Sequence, residues 1–184
     1  TMATMHLLPA VEGMVEKFPC GLQLFDEIIN SDLDHPYLDW LKLKKNRLLD
    51  RLDPKARKGF VHGDIFWDNL VVRDDTLVAI LDFEEACYYY TLFDLGMCAV
   101  GCCSKNGKFN LIRIKALIAG YNNRQPLTPD EYSQLTVFVE YAAVAASLWR
   151  FRQYNINYPN SGKADTYLEL SSLADQATTL ELLS

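Results

Sequence analysis

One stretch constrains this chain more than any other: Leu70-Val71-Val72, then Arg73-Asp74-Asp75-Thr76, then Leu77-Val78-Ala79-Ile80-Leu81. Two apolar, β-branched runs flank a polar turn cluster, which is the pattern of a β-hairpin. A hairpin returns the chain to the end it left, so residues before its first strand and after its second become neighbours. The segment from Phe60 to Asn69 and the pair Asp82-Phe83 are therefore expected at one edge.

Around the hairpin the periodicity is helical. Met2, Met5 and Leu8 are helically spaced with no cap or polar lead-in, as in the tail of a longer helix. Val11 to Ser31 is irregular, with Gly13, Pro19 and Gly21, and contains a short amphipathic piece, Leu22 to Ile29. Asp34-His35-Pro36 starts a helix through Trp40, Leu41 and Leu48. Beyond the hairpin, Leu95 to Cys103 reads as a buried helical segment. Asn110 then caps a helix ending near Gly120, with Leu111, Ile114, Leu117, Ile118 and Tyr121 on one face. Thr128-Pro129-Asp130-Glu131 places Thr at an N-cap, Pro at N1 and Glu at N3. The helix it opens turns Leu135, Phe138, Tyr141, Ala142, Ala145, Leu148 and Trp149 inward. Asn155 to Gly162 reads as a loop, and a final helix from about Ala164 sets Tyr167, Leu170, Ser171 and Ala174 on one side. No repeat or linker divides the 184 residues, so the expectation is a single mainly α domain (α+β) over 1–184 with one hairpin inserted.

Charge and hydropathy exclude two partner classes. Against 24 Asp+Glu stand 18 Lys+Arg, a net −6, the wrong sign for a surface that neutralises a phosphate backbone, so no nucleic acid is expected. The densest apolar stretch, Leu95 to Cys103, falls well short of the roughly 20 residues of a bilayer span, so no membrane partner is expected. The opening Thr1-Met2-Ala3-Thr4-Met5-His6 lacks the pattern of a signal peptide, which makes the cytoplasm the expected compartment. Cys20, Cys87, Cys98, Cys102 and Cys103 form no C-x-x-C and have no neighbouring His. They read as reduced, buried thiols.

The polar cluster with a mechanistic spacing lies at the hairpin edge. His62-Gly63-Asp64 is followed by Asn69, and Asp82-Phe83 stands at the end of the second strand, the arrangement of kinase-like phosphotransferases. An Asp on the loop before a strand can accept the proton of an attacking hydroxyl. An Asn at the strand start can offer its amide oxygen to Mg²⁺, and the returning strand brings Asp82 to the same ion. The plainer alternative is that His62, Asp64 and Asn69 are turn and cap residues of an ordinary hairpin.

The segment FVHGDIFWDNLVVRDDTLVAILDFEEACYYYTLFDLG, Phe60 to Gly96, resembles the core of the aminoglycoside phosphotransferase and choline kinase superfamily. Asp64-Ile65-Phe66-Trp67-Asp68-Asn69, Ala86-Cys87, and Gly120-Tyr121 leading into Gln125-Pro126-Leu127-Thr128 resemble its homoserine kinase branch most. The resemblance implies the C-terminal lobe of a kinase-like fold, with Asp64 as catalytic base, His62 orienting the loop, Asn69 and Asp82 as ligands of Mg²⁺, and Asp94 holding the catalytic loop. It departs at Glu84-Glu85, where aromatics are frequent, and at Cys102-Cys103. Phe66, Trp67, Glu84, Tyr88 and Arg150 stand as candidate substrate contacts. Against this, Tyr88-Tyr89-Tyr90 suits packing, Arg150 and Arg152 suit a helix C-terminus, and Lys42, Lys44, Lys45 and Arg47 read as a solvated helix face. His6 and His35 carry no functional reading.

No glycine-rich loop or strand Lys precedes His62, so the nucleotide-binding N-terminal lobe is expected to be absent from this chain, lying elsewhere on the same gene product or on another chain. The expected function is transfer of the ATP γ-phosphate to a small-molecule hydroxyl, with L-homoserine the first candidate acceptor. The alternatives are another acceptor of the superfamily (an aminoglycoside, choline or ethanolamine) and a non-catalytic binding module that keeps the lobe as a scaffold.

Overall fold

A helix buried on every face has to be surrounded, and helix α6 (Pro129–Phe151) is such a helix over much of its length: Val137 through Leu148 are buried without interruption. Its start is the capping box legible in the sequence. The Thr128 hydroxyl accepts from Glu131 N–H at 3.2 Å and the Glu131 carboxylate accepts from Thr128 N–H at 2.8 Å. The computed structural model describes residues 1–10, 12–16 and 18–180. Val11, where the irregular N-terminal segment was expected to begin, lies outside the described residues.

Seven α-helices are described. Besides α6 they are α1 (Met2–Met5), α2 (Leu22–Ile29), α3 (Tyr37–Arg51), α4 (Thr91–Cys102), α5 (Leu111–Asn122) and α7 (Tyr167–Ala177). Helices α4 and α7 flank α6. Helix α4 comes so close that a Cβ on Gly96 would sit 2.4 Å from Phe138 O. Helix α5 is capped by the Asn110 side chain, which accepts from Arg113 N–H at 3.1 Å. No described helix is long and apolar enough to cross a membrane.

The hairpin is β2 (Leu70–Arg73) paired antiparallel with β3 (Thr76–Ile80). Asp74 and Asp75 both take left-handed φ, +47° and +56°, as the tight turn of such a hairpin demands. Two further small sheets were not foreseen. Strand β1 (Lys58–Val61) pairs with β4 (Cys87–Tyr90), and β5 (Ser104–Lys105) with β6 (Lys108–Phe109). The mainly α architecture holds, but with three two-stranded sheets in place of one hairpin.

Other expectations are corrected by packing. Helix α1 ends at Met5 and leaves Leu8 exposed, burying His6 instead. Leu111 and Trp149, expected inward, are 41% and 44% exposed. The loop expected from Asn155 is preceded and entered by a π-helical stretch, Arg152–Asn157. Lys44 is buried rather than solvated. Its ammonium meets Glu140 Oε1 at 3.0 Å and Asp175 Oδ1 at 2.9 Å, while Arg47 and Arg51 reach Glu140 Oε2 at 3.2 and 3.0 Å. His35 is placed structurally: its Nδ1 accepts from Tyr37 N–H, and its ring packs on Phe151. All five cysteines carry free thiols and are buried.

Candidate active site

Strand β1 ends at Val61 and the chain leaves it through His62-Gly63-Asp64. Gly63 turns with φ +85°, and a Cβ there would meet Glu85 O and a Phe18 ring carbon at 2.9 Å each, so this position requires glycine. The turn is clamped from α4. Asp94, wholly buried, accepts from His62 N–H at its Oδ2 and from Gly63 N–H at its Oδ1, both at 2.8 Å. Bonds from backbone amides to a carboxylate are charge-assisted and strong. The same Oδ2 lies 3.1 Å from His6 Nε2. His6 Nδ1 lies 2.9 Å from the Tyr121 hydroxyl, which donates to Gln125 Oε1.

The His62 ring ties the turn to the far end of the hairpin. Its Nδ1 accepts from Asp64 N–H at 3.2 Å, which leaves Nε2 to donate to Leu81 O at 2.8 Å. Leu81 N–H donates in turn to Asn69 O, so the chain entering β2 and the chain leaving β3 are stitched together at the residue before Asp82. Asp82 has φ +62°, a left-handed conformation that Asp tolerates better than most residues. The Asn69 amide gives its protons to Asp64 O and Asp64 Oδ2, each at 2.9 Å. Burial pushes the Asp64 carboxyl above the ordinary carboxylate range. The bond from Asn69 and the nearby His62 oppose that shift, while Asp68 and Asp82 add to it.

A cavity of about 190 Å³ opens beside Asp64. Phe18, Phe66, Met97 and Leu170 supply apolar wall, and Asp68, Glu84, Glu85, Trp149 and Arg150 also line it. Cys20 belongs to the lining, but burial pushes its thiol up to about 12, which removes it as a nucleophile. Burial, then the charges of Asp64, Glu84 and Asp82, raise the Glu85 carboxyl. Arg150 donates to Thr166 O at 3.1 Å and lies 3.5 Å from Glu169 Oε2.

The structure thus gathers His62, Asp64, Asn69 and Asp94 at one turn, with Phe66, Glu84 and Arg150 around the adjoining cavity. Two other candidate substrate contacts do not line it. Trp67 is half exposed with the Arg113 guanidinium 5.8 Å from its ring centre. Tyr88 pairs with Phe60 in the β1–β4 sheet and donates its N–H to Val15 O. His6, Phe18, Glu85 and Trp149 had no part in the sequence reading of the site. Glu85 had a signal in the acidic pair that follows Asp82-Phe83; His6 had none.

With both amide protons committed to Asp64, Asn69 keeps its Oδ1 as a free acceptor, and the exposed Asp82 carboxylate makes no ion pair among the described residues. Such oxygen donors suit a hard cation like Mg²⁺. No cluster of three or more His, Cys, Asp or Glu able to hold a metal occurs among the described residues. An ion here would need to take part of its shell from water or phosphate, as Mg²⁺ commonly does.

Comparison with known proteins follows the same lines. Residues 3–127 match the model of the APH phosphotransferase enzyme family. A homoserine kinase of Sinorhizobium fredii is 33% identical over 94 residues, which is 50% of this chain and 29% of that protein. One from Rhodopseudomonas palustris strain BisA53 is 29% identical over 158 residues, 81% of this chain and 48% of the relative. Among solved structures, a choline/ethanolamine kinase family protein from Mesorhizobium loti superposes with a TM-score of 0.64 at 18% identity, covering 97% of this chain and 63% of its own. A microcompartment-associated aminopropanol kinase superposes with a TM-score of 0.69 at 16% identity, covering 96% and 58%. These likenesses are of fold. The chain spans about half or less of the length of the curated relatives named here.

Proposed function

Because this chain belongs to the phosphotransferase enzyme family, we propose that it carries the catalytic loop of a kinase that transfers the γ-phosphate of ATP to a small-molecule hydroxyl, with L-homoserine as first candidate. The observation that carries the reading is the clamped turn: Asp64 is fixed by Asn69, its loop is fixed by Asp94, and a small cavity opens beside it. Phosphoryl transfer asks little covalent chemistry of a protein and much positioning. Asp64 accepts a hydrogen bond from the acceptor hydroxyl, aligns its oxygen, and takes its proton as the new O–P bond forms and the bond from the γ-phosphorus to the β–γ bridging oxygen breaks, releasing ADP. A base raised toward neutrality by burial suits that exchange better than an ordinary surface carboxylate. His62 holds the loop from beneath through its bond to Leu81 O. Asn69 Oδ1 and the Asp82 carboxylate would hold Mg²⁺, which would neutralise charge on the phosphate oxygens.

A second lobe that grips the nucleotide completes the site, on the same gene product or on another chain. The exposed apolar side chains on and just after the hairpin, Val72, Val78, Leu81 and Phe83, offer it a surface. The cavity volume favours a small acceptor over an aminoglycoside, since pockets for drug-sized ligands run from about 300 Å³ upward. The test supplies the full-length gene product with Mg·ATP and L-homoserine, ethanolamine, choline and an aminoglycoside in parallel. Phosphorylation of one acceptor, abolished by Asp64→Asn, supports the reading. No transfer to any hydroxyl, or full activity in the variant, rejects it in favour of a non-catalytic module.

A further inference from the structure

Helix α4 carries thiols that phosphoryl transfer does not use. Cys98 and Cys102 stand one turn apart on it, both buried, with Cys103 just past its end. Cys102 is the last residue of α4, and its thiol donates to Ile65 O at 3.7 Å. Ile65 follows Asp64, so this sulfur touches the loop that leads away from the base. Beside it, Gly101 has no room for a Cβ against Ile65 and Phe66, which leaves the contact without slack. Of the five thiols, only that of Cys102 is held below its ordinary range. A hydrogen bond from Cys98 does this against burial and Asp68, with help from the Arg113 guanidinium, which also donates to Cys102 O at 3.5 Å. Burial instead pushes Cys87 up to about 12 and Cys103 up to about 11. A thiol with more thiolate character is the one an oxidant reaches first. Cys98 also lines a groove of about 310 Å³ between α1, the hairpin and α5, which gives a small oxidant a way in.

We propose that Cys98 and Cys102 are a peroxide-sensitive pair whose disulfide displaces the loop after Asp64 and so slows transfer. Residues one helical turn apart have Cα atoms about 6.2 Å apart, inside the range of about 4.4–6.8 Å that a disulfide spans. Their Cβ atoms, at about 5–6 Å, stand wider than the roughly 3.5–4.5 Å the bond requires, so closure tightens the last turn of α4. That turn carries Gly101 and Cys102 against Ile65 and Phe66, and the oxidised sulfur has no proton left to give Ile65 O. With hydrogen peroxide as oxidant, the Cys102 thiolate attacks one peroxide oxygen and the O–O bond breaks. Hydroxide leaves, takes up the proton that Cys102 had released, and a sulfenic acid remains. The Cys98 sulfur then attacks the Cys102 sulfur, the S–O bond breaks, and the oxygen departs as water with the Cys98 proton. Two thiols thus give up two electrons and peroxide becomes two waters. The disulfide is independent of the phosphotransferase reading; the loss of transfer rests on it.

The experiment treats the full-length gene product with graded hydrogen peroxide in thiol-free buffer, alongside Cys98→Ser, Cys102→Ser and Cys103→Ser. Disulfides are located by fragmentation mass spectrometry, and the loop is followed by amide hydrogen exchange from Ile65 to Asn69. Expected in the parent and in Cys103→Ser are a disulfide between Cys98 and Cys102 and faster exchange in the loop. In both, kcat/KM falls by about 100-fold, the effect of moving a catalytic group by about an ångström. Dithiothreitol reverses all three changes. Cys98→Ser instead accumulates a Cys102 sulfenic acid that dimedone traps, and Cys102→Ser forms neither species and keeps its activity in peroxide. A disulfide between Cys102 and Cys103, earlier oxidation of Cys20 or Cys87, or no thiol oxidation in the folded protein overturns the proposal. So does a disulfide that leaves loop exchange unchanged or, where transfer occurs, leaves transfer unchanged. The expected disulfide and faster loop exchange in a protein that phosphorylates no acceptor keep the redox pair and reject the kinase reading instead.

Discussion

Burial works against the charge on Asp64, and that sets up a measurable conflict between stability and function. Its carboxyl is raised in the folded chain, so between the ordinary Asp pKa and the raised one the folded state holds more protons than the unfolded state. Stability then falls as pH rises through that window, and the penalty is present at neutral pH. Asp64→Asn removes it while keeping an oxygen that can accept from Asn69. The variant is expected to melt at or above the parent at pH 7 in EDTA, with the difference shrinking on acidification, while activity drops by about 100-fold or more. A variant that melts well below the parent at pH 7 would show that the charge is stabilising instead. At this scale the sequence was informative where the partners are close: Asp64 and Asn69 lie within one short motif, and the bond between them spans five residues. His6 was illegible because its partner Asp94 is 88 residues away and no local pattern marks it.

Helix α4 underlies the loop that follows Asp64 through a residue without a side chain. A Cβ on Gly101 would come within 2.6 Å of Ile65 O and 2.7 Å of Phe66 Cγ, both in the loop that follows Asp64. Gly101→Ala must therefore push the loop outward. It is expected to cost about 1–3 kcal/mol in urea unfolding and to lower kcat/KM of the full-length protein. The start of α6 makes a second prediction. Thr128→Ala removes the acceptor for Glu131 N–H and is expected to cost about 1 kcal/mol, read by the same unfolding experiment. Burial tends to raise the Glu131 carboxyl, but its bonds from Arg57 and Thr128 outweigh that and hold it below the ordinary range. A lowered acid stabilises above its unfolded pKa and loses that contribution as pH falls through the folded one. Arg57→Ala should therefore flatten the acid limb of stability against pH. Helix α6 was legible because its cap is local; the β1–β4 pairing was not, because its register is fixed across the intervening hairpin.

For the molecule as a whole, Glu140 joins α3, α6 and α7 around one buried charge. Its fully buried carboxylate meets Lys44, Arg47 and Arg51, and Lys44 also bonds Ala174 O. Glu140→Ala removes the buried partner of Lys44, which keeps Asp175 and Ala174 O, and is expected to cost about 1–3 kcal/mol, measured by chemical denaturation. An unchanged midpoint would place the stability elsewhere. The spacing 44, 47, 51 puts three cations on one helix face, a signal that the basic run as a whole concealed. The Asp94 clamp has a consequence of another kind. Turns normally trade their amide protons with water in seconds, but the amides of His62 and Gly63 are tied to a wholly buried carboxylate. In deuterated solvent these two should persist as long as amides in the middle of α6, opening only with large-scale unfolding. Isotope uptake as fast as at the exposed Asp74-Asp75 turn would show the clamp to be loose. On the expected outcome, the part of the chain best placed to meet substrate is among the last to feel the solvent.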